Sequence, residues 1–207
     1  MSNVTLTFFG GVNEIGGNKI LLKDLDTKIF LDFGMNFSRS GVFFSEFLQP
    51  RMCNGLGDFF ELGILPDLKG IYRRDYLKHM SRPPEDTDCQ GVLLSHAHAD
   101  HAAHIHFLRE DIPIYCSEPT KAILKAVNDT STGNYNDLTE IKTRFGTYIT
   151  KTGKISRKNA RNHPDIVADR DFRPFEYCSK FKIGSIEIIP FRVDHSLQGA
   201  TGYIIYT

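Results

Sequence analysis

The fold of this chain is decided by the stretch Ser95-His96-Ala97-His98-Ala99-Asp100-His101, which has the pattern His-x-His-x-Asp-His. It follows Gly91-Val92-Leu93-Leu94, an apolar run typical of a strand buried on both faces. The next segment, Ala99–Leu108, has helical character. A loop between such a strand and helix can direct His96 and His98 toward one cation. Asp100 and His101 can then face a second cation nearby, so the stretch predicts a metal site rather than a histidine-rich surface loop.

Imidazole and carboxylate ligands together suit Zn²⁺, with Mn²⁺ or Fe as substitutes. The loop alone does not complete such a site. His195 follows the apolar strand Ile186–Phe191 and is the candidate for the third histidine ligand. Its neighbours Asp194 and Ser196 are better candidates for orienting groups than for ligands. His104 and His106 lie beyond the motif, and they are expected either to support a ligand histidine or to lie on the surface.

The order of elements around this stretch is typical of an α/β fold. The pattern predicts a first strand, a hairpin, a helix near residue 75, the strand before the histidines, a further strand, a helix capped by Ser117, and three late strands. The predicted ranges are Val4–Phe9, Lys19–Lys23, Lys28–Asp32, Tyr72–Met80, Ile112–Cys116, Glu118–Val127, Ser179–Lys182, Ser185–Val193 and Gly202–Tyr206. Residues 34–66 show little periodicity and are expected to be loop.

Composition excludes several classes of protein. The 207 residues carry 25 basic and 25 acidic side chains, and 41% are hydrophobic, which is unlike a disordered chain. No apolar run is long enough to span a membrane, and the start lacks the features of a signal peptide, so a cytoplasmic protein is expected. Zero net charge argues against a purely electrostatic nucleic-acid binder.

A basic stretch at about residues 128–176 is predicted to be an insert. Cationic residues interleaved with Phe145 and Tyr148 could follow single-stranded RNA, whereas a solvated loop is the commoner role of such residues. The candidate contacts are Lys142, Arg144, Lys151, Lys154, Arg157, Lys158 and Arg161.

The histidine pattern after an apolar strand resembles the signature of the metallo-β-lactamase fold superfamily. Three further stretches have counterparts there: Gly10-Gly11…Glu14-Ile15-Gly16, Leu31-Asp32-Phe33-Gly34, and Asp194-His195-Ser196 with its downstream glycines. The first and last are most similar to the RNA-processing branch, the ribonuclease J-like and β-CASP enzymes. The resemblance touches residues 4–34, 64–125 and 179–207. It implies an αββα sandwich, in which a mixed sheet is flanked by helices.

The resemblance also implies a hydrolase with two zinc ions in its complete site. His96, His98 and His195 would hold the first ion, whereas Asp100 and His101 would help to hold the second. Asp100 would additionally orient the attacking water, and Asp32 would hydrogen-bond a ligand histidine or be merely structural.

The sequence departs from the family after His195. Family members carry a further metal-bridging Asp and a later metal-binding His, and neither follows His195 here. Residues 1–207 are therefore expected to form a partial domain, the N-terminal half of the sandwich, inactive or weakly active alone. Unpaired strand edges would favour a homo-oligomer. The function predicted for the full-length enzyme is RNA phosphodiester hydrolysis. The alternatives are hydrolysis of a lactone, thioester or cyclic phosphodiester, and a catalytically incomplete half-domain.

Overall fold

Two main β-sheets and two short strand pairs form the framework of residues 4–44, 48–83, 85–131, 137–158 and 168–207, which the computed structural model describes. In chain order the elements are β1 (Thr5–Phe8), β2 (Ile20–Asp24), β3 (Thr27–Leu31), α1 (Phe37–Phe43), α2 (Gly57–Glu61), α3 (Arg74–His79), β4 (Gly91–Leu93), α4 (Ala99–Ala102), a 3₁₀ helix (Ala103–Phe107), β5 (Ile114–Cys116), α5 (Glu118–Thr130), β6 (Glu140–Ile141), β7 (Thr147–Ile149), β8 (Ile155–Arg157), β9 (Ala168–Asp169), β10 (Phe172–Pro174), β11 (Phe181–Ile183), β12 (Ile186–Arg192) and β13 (Thr201–Tyr206).

The larger sheet is mixed, with the strand order β1-β2-β3-β4-β5-β10. Strands β1, β2 and β3 pair antiparallel, whereas β3, β4, β5 and β10 pair parallel. A second sheet of three strands is antiparallel, with the order β11-β12-β13, and two further antiparallel pairs join β6 to β9 and β7 to β8. The predicted α/β class with a mixed sheet is confirmed.

The two sheets pack against each other through alternate side chains of the central strands. Ile29 of β3 and Leu93 of β4 lie in one buried cluster with Ile186 and Ile188 of β12. Because successive side chains of a strand point to opposite faces, their neighbours Phe30 and Val92 face the other way. These join a second cluster, to which helices α2 to α5 contribute side chains. The end of β4 is therefore enclosed between a sheet and a layer of helices.

Three local predictions need correction. Residues 34–66 contain two helices, α1 and α2, which are too short to show a helical period in the sequence. Asn36 caps α1, accepting a hydrogen bond from the backbone N–H of Arg39 at 2.7 Å. Helix α5 extends to Thr130, beyond its predicted end. The late part of the basic stretch supplies β10, which joins the larger sheet beside β5.

Large apolar side chains remain exposed on β12 and β13, among them Phe191, Ile204 and Tyr206. An exposed apolar sheet face favours self-association, and the homo-oligomer stays a prediction. Within the described residues, the helices are all too short or too polar to cross a bilayer.

Candidate metal centre

The loop after β4 brings His96 and His98 together. Residue His98 has an extended backbone (φ −62°, ψ 147°) and stands at the N-cap position of α4. Its Nδ1 lies 2.9 Å from Nε2 of His96. The i and i+2 spacing thus places two imidazoles side by side.

The third histidine comes from the loop between β12 and β13. Nε2 of His195 lies 3.3 Å from Nδ1 of His98. The three candidate ligand atoms, one each from His96, His98 and His195, all lie within 4.8 Å of one another. His96 is buried, His98 is half-buried and His195 is exposed, so the cluster is open to solvent on one side.

A glycine fixes the loop that carries His195. The carbonyl of Gly199 accepts hydrogen bonds from Ser117 Oγ at 2.7 Å and from Thr201 Oγ1 at 3.0 Å. Gly199 has a φ of +89°, and a Cβ there would lie 2.7 Å from Ser117 Oγ. The backbone N–H of Thr201 donates to the carbonyl of Ser95 at 2.8 Å, which ties the His195 loop to the His96 loop. A residue other than glycine at position 199 would disturb this junction.

Asp32, at the end of β3, orients two of the histidines. Its carboxylate accepts from the backbone N–H of Ser95 at 2.7 Å and lies 2.8 Å from Ser95 Oγ. The same carboxylate lies 2.7 Å from Nδ1 of His101. Since a carboxylate only accepts, these contacts assign a proton to His101 Nδ1 and leave its Nε2 without one in the neutral ring.

Ser95 extends this arrangement to His96. Its hydroxyl donates to Asp32 and therefore accepts from Nδ1 of His96, which lies 2.9 Å away. The lone pair of His96 Nε2 then faces the histidine cluster. A single carboxylate thus sets the ring orientation on both sides of the site.

Asp100 and His101 lie next to the three-histidine cluster. The ring centroids of His96 and His101 are 4.1 Å apart. Oδ2 of Asp100 lies 3.4 Å from His101 Nε2. The side-chain amide nitrogen of Asn18 is 3.2 Å from the same Nε2, a contact that no sequence pattern indicated.

The pKa values of His96 and His101 are shifted in opposite directions. Burial, with the neighbouring imidazoles His101, His195 and His98, lowers the pKa of His96 to about 4. For His101, burial also acts to lower the pKa, but the hydrogen bond and the charge of Asp32 outweigh it, and the pKa is raised. His96 is therefore neutral at physiological pH and available to a cation as a ligand.

A buried lysine holds the segment that packs against the main chain of Asp100. Lys19 is 1% exposed, and its ammonium donates to the carbonyl of Gly34 at 2.5 Å. Gly34 lies so close to the main chain of Asp100 that a Cβ would stand 1.6 Å from its carbonyl oxygen. Burial lowers the pKa of Lys19 to about 7, partly offset by Glu14. Sequence reasoning missed Lys19, because a lysine next to the first residue of a strand gives no sign of burial.

His104 and His106 are both buried, so a surface position is wrong for each. The rings of Phe59 and Phe107 pack around His104. His106 accepts from the backbone N–H of Asp137 at 2.8 Å and contacts the hydroxyl of Tyr76 at 2.9 Å. Within the described residues, no hydrogen bond joins His104, Asp194 or Ser196 to a candidate ligand, and their expected supporting role stays a prediction.

The predicted RNA contacts divide into two groups. Three of them make contacts within the chain: Lys142 Nζ donates to the carbonyl of Asn128 at 2.5 Å, Arg144 pairs with Glu110 at 2.5 Å, and Arg157 stacks on Phe145 at 5.3 Å. Lys151 and Lys154 are exposed between β7 and β8, and Lys158, just after β8, is half-buried. Arg161 lies outside the described residues.

The donor set fits a divalent metal. Three imidazole nitrogens converge with one side open to solvent, which is the arrangement of a zinc site that keeps a position for water or substrate. Asp100 and His101 provide the beginnings of a second position beside it.

Comparison with known proteins agrees with this fold. Residues 65–206 match the family model described as a beta-lactamase superfamily domain. This match covers more than half of the chain, so the chain belongs to that family, whose members are generally hydrolases that bind divalent metals, often zinc. A crystal structure of a protein of unknown function from Enterococcus faecalis V583 has the same fold, with a TM-score of 0.68 and 26% identity. The similarity covers 100% of this chain and 41% of the Enterococcus faecalis chain.

Two curated relatives are RNA-related by name. The transcription termination factor FttA of Cenarchaeum symbiosum (strain A) is 27% identical over 129 residues, which are 61% of this chain and 15% of that protein. Ribonuclease J of Helicobacter pylori (strain ATCC 700392 / 26695) is 27% identical over 116 residues, which are 55% of this chain and 13% of that protein. The predicted superfamily is confirmed, and the chain spans only a small part of the length of these relatives.

Proposed function

We propose that this protein is a metal-dependent phosphodiesterase that acts on RNA. The observation that carries the proposal is the convergence of His96, His98 and His195, whose ligand atoms lie within 4.8 Å of one another. The similarity to ribonuclease J and FttA supports RNA as the substrate class.

In this proposal, His96, His98 and His195 would hold the first zinc ion through their ring nitrogens. Asp100 and His101 would contribute to a second ion, and Mn²⁺ or Fe could replace zinc. A bound zinc ion supplies Lewis-acid chemistry: it lowers the pKa of water and stabilises negative charge on a phosphoryl oxygen.

The protein's own groups prepare this chemistry. Asp32 and Ser95 hold the rings of His101 and His96 with their metal-binding nitrogens toward the site. Asp100, with its carboxylate 3.4 Å from His101 Nε2, is placed to accept a hydrogen bond from the attacking water and to orient it. Lys19 and Gly34 keep the backbone of Asp100 in place.

The second position is the weaker one in this chain. Asp100 and His101 supply two ligand side chains, whereas the first position has three. The chain is therefore expected to bind one metal ion tightly and to hydrolyse phosphodiesters slowly. This chain matches small parts of the relatives' length, so the RNA-cleaving activity is proposed for the whole protein.

Cleavage of 5′-labelled single-stranded RNA by zinc-loaded protein, with protein in excess over RNA, tests the proposal. Slow cleavage is expected, and His98→Ala should abolish it. His79→Ala is the matched control, since His79 packs against Phe145 and not in the histidine cluster, and it should cleave as wild type does. Hydrolysis of a lactone, thioester or cyclic phosphodiester without any action on RNA would replace the proposal with a small-molecule hydrolase.

A further inference from the structure

A cavity of about 410 Å³ lies beside His195. Its walls are Pro119 at the start of α5, Tyr177, and residues 192–199 of the loop that carries His195. The volume is within the range of small-ligand pockets. Because His195 belongs both to this cavity and to the histidine cluster, a group bound in the cavity would adjoin the proposed metal ion.

The cavity holds one arginine whose donors are available. The guanidinium of Arg192 lies over the ring of Tyr177, 5.0 Å from its centroid. Among the described residues, Arg192 forms no ion pair and its side chain makes no hydrogen bond. Arg173 offers the contrast: it stacks on Tyr115 at 5.7 Å, but it also pairs with Asp171 at 2.7 Å.

The wall behind Arg192 is fixed by hydrogen bonds. The hydroxyl of Tyr177 donates to the carbonyl of Gly199 at 3.2 Å, the same carbonyl that Ser117 and Thr201 hold. The ring under the guanidinium is thus tied to the loop that positions His195. A site whose groups are already in place loses less free energy on binding than one that must be ordered.

The polar groups of the cavity favour an anion. Ser196 and Gln198 also line it and can donate hydrogen bonds. Asp194 is the single acidic residue among the described lining residues. Because its carboxylate repels negative charge, an anionic group would bind on the Arg192 side of the cavity. The planar fork of a guanidinium matches the oxygens of a phosphate in a bidentate arrangement. Since Arg192 covers one face of Tyr177, that face is closed to stacking by a base.

We propose that this cavity binds a phosphate group of the RNA substrate, next to the phosphodiester at the metal centre. The inference rests on the proposed function, which it deepens: Arg192 holds the neighbouring phosphate and thereby aligns the RNA backbone with His195.

The test is a titration of zinc-free ¹⁵N-labelled protein with uridine 5′-monophosphate and with uridine, followed by NMR shifts of the residues that line the cavity. Without metal, phosphate cannot bind through zinc. The monophosphate should bind about tenfold more tightly than uridine, and Arg192→Gln should weaken its binding about tenfold. Arg192→Lys should restore part of the loss, because it keeps the charge without the planar fork. The control Arg173→Gln should bind as wild type does.

Equal affinity of wild type and Arg192→Gln, or of the monophosphate and uridine, would overturn the proposal. Zinc uptake, measured on the same samples, separates it from the proposed function: Arg192→Gln should take up as much zinc as wild type does. Phosphate binding in a protein that takes up no zinc would support the cavity site and contradict the proposed hydrolase. Normal zinc uptake with no response to the monophosphate would contradict the cavity site alone.

Discussion

Nδ1 of His101 lies 2.7 Å from the carboxylate of Asp32, so a residue at the end of β3 orients a histidine at the start of α4. The same carboxylate reaches His96 through the hydroxyl of Ser95. Asp32 follows β3 and Ser95 follows β4, and these two strands are parallel neighbours in the larger sheet. The sheet itself therefore sets the spacing between the carboxylate and the histidine loop.

Asp32→Asn should weaken zinc binding by about 10-fold, because Asp32 holds the hydroxyl of Ser95, which in turn orients the ligand His96. An amide has a single accepting oxygen, so the asparagine could not accept hydrogen bonds from both His101 and Ser95 as the two carboxylate oxygens do. Competition with a chromogenic chelator measures the affinity. Zinc affinity equal to that of wild type would show that Asp32 is merely structural.

Gly199→Ala should destabilise the protein by about 1–3 kcal/mol, because it places a Cβ in a left-handed backbone region and against Ser117. It should also weaken zinc binding by moving the His195 loop. Gly41→Ala is the matched control: position 41 is in α1, and an added Cβ would meet no atom within 4 Å beyond the local backbone, so this change should be neutral or stabilising. Urea denaturation of both variants and of wild type measures the free energy of unfolding. A Gly199→Ala protein as stable as wild type would contradict the tight junction at Gly199.

Lys19 should make stability depend on pH. Its pKa is about 7 in the folded protein, below its ordinary value near 10.5, so the unfolded chain binds more protons between these values. The folded state is consequently penalised at and below pH 7, and its stability should rise as the pH increases from about 7 toward 10. Glu14 and Arg39 are the charged groups that act on Lys19.

Lys19→Met removes this proton uptake. The free energy of unfolding of wild type, measured relative to that of Lys19→Met, should therefore increase by up to about 1.4 kcal/mol for each pH unit in this range. Urea denaturation at pH 7, 8 and 9 measures the difference. Parallel pH profiles for the two proteins would contradict a buried lysine of lowered pKa.

The exposed lysines between β7 and β8 provide the prediction for RNA. Lys151→Ala with Lys154→Ala should weaken binding of single-stranded RNA and lower its salt dependence, because fewer counterions are released. Lys125→Ala is the control, since Lys125 already pairs with Asp129 and Glu140. Fluorescence anisotropy at several salt concentrations measures both effects. Unchanged affinity and salt slope would leave this hairpin as an ordinary solvated surface.

Much of the architecture could be predicted because it depends on local patterns. The apolar run at Gly91–Leu94, the His-x-His-x-Asp-His spacing and the position of His195 after a strand all carry their signal in neighbouring residues. The contacts that hold the site join residues far apart in sequence. Gly199 meets Ser117, and Lys19 meets Gly34 beneath Asp100, through packing that no single segment encodes. The burial of His104 and His106 was missed for the same reason, since their partners Phe59 and Tyr76 lie on other helices.

The zinc content of the purified chain, determined by elemental analysis after dialysis against metal-free buffer, tests the central claim most directly. Wild type and His79→Ala should each retain about one zinc ion per chain, the number that three histidine ligands hold tightly. His98→Ala should lose most of it, because His98 Nδ1 stands between His96 and His195. A His98→Ala protein that retains the zinc content of wild type would contradict the account.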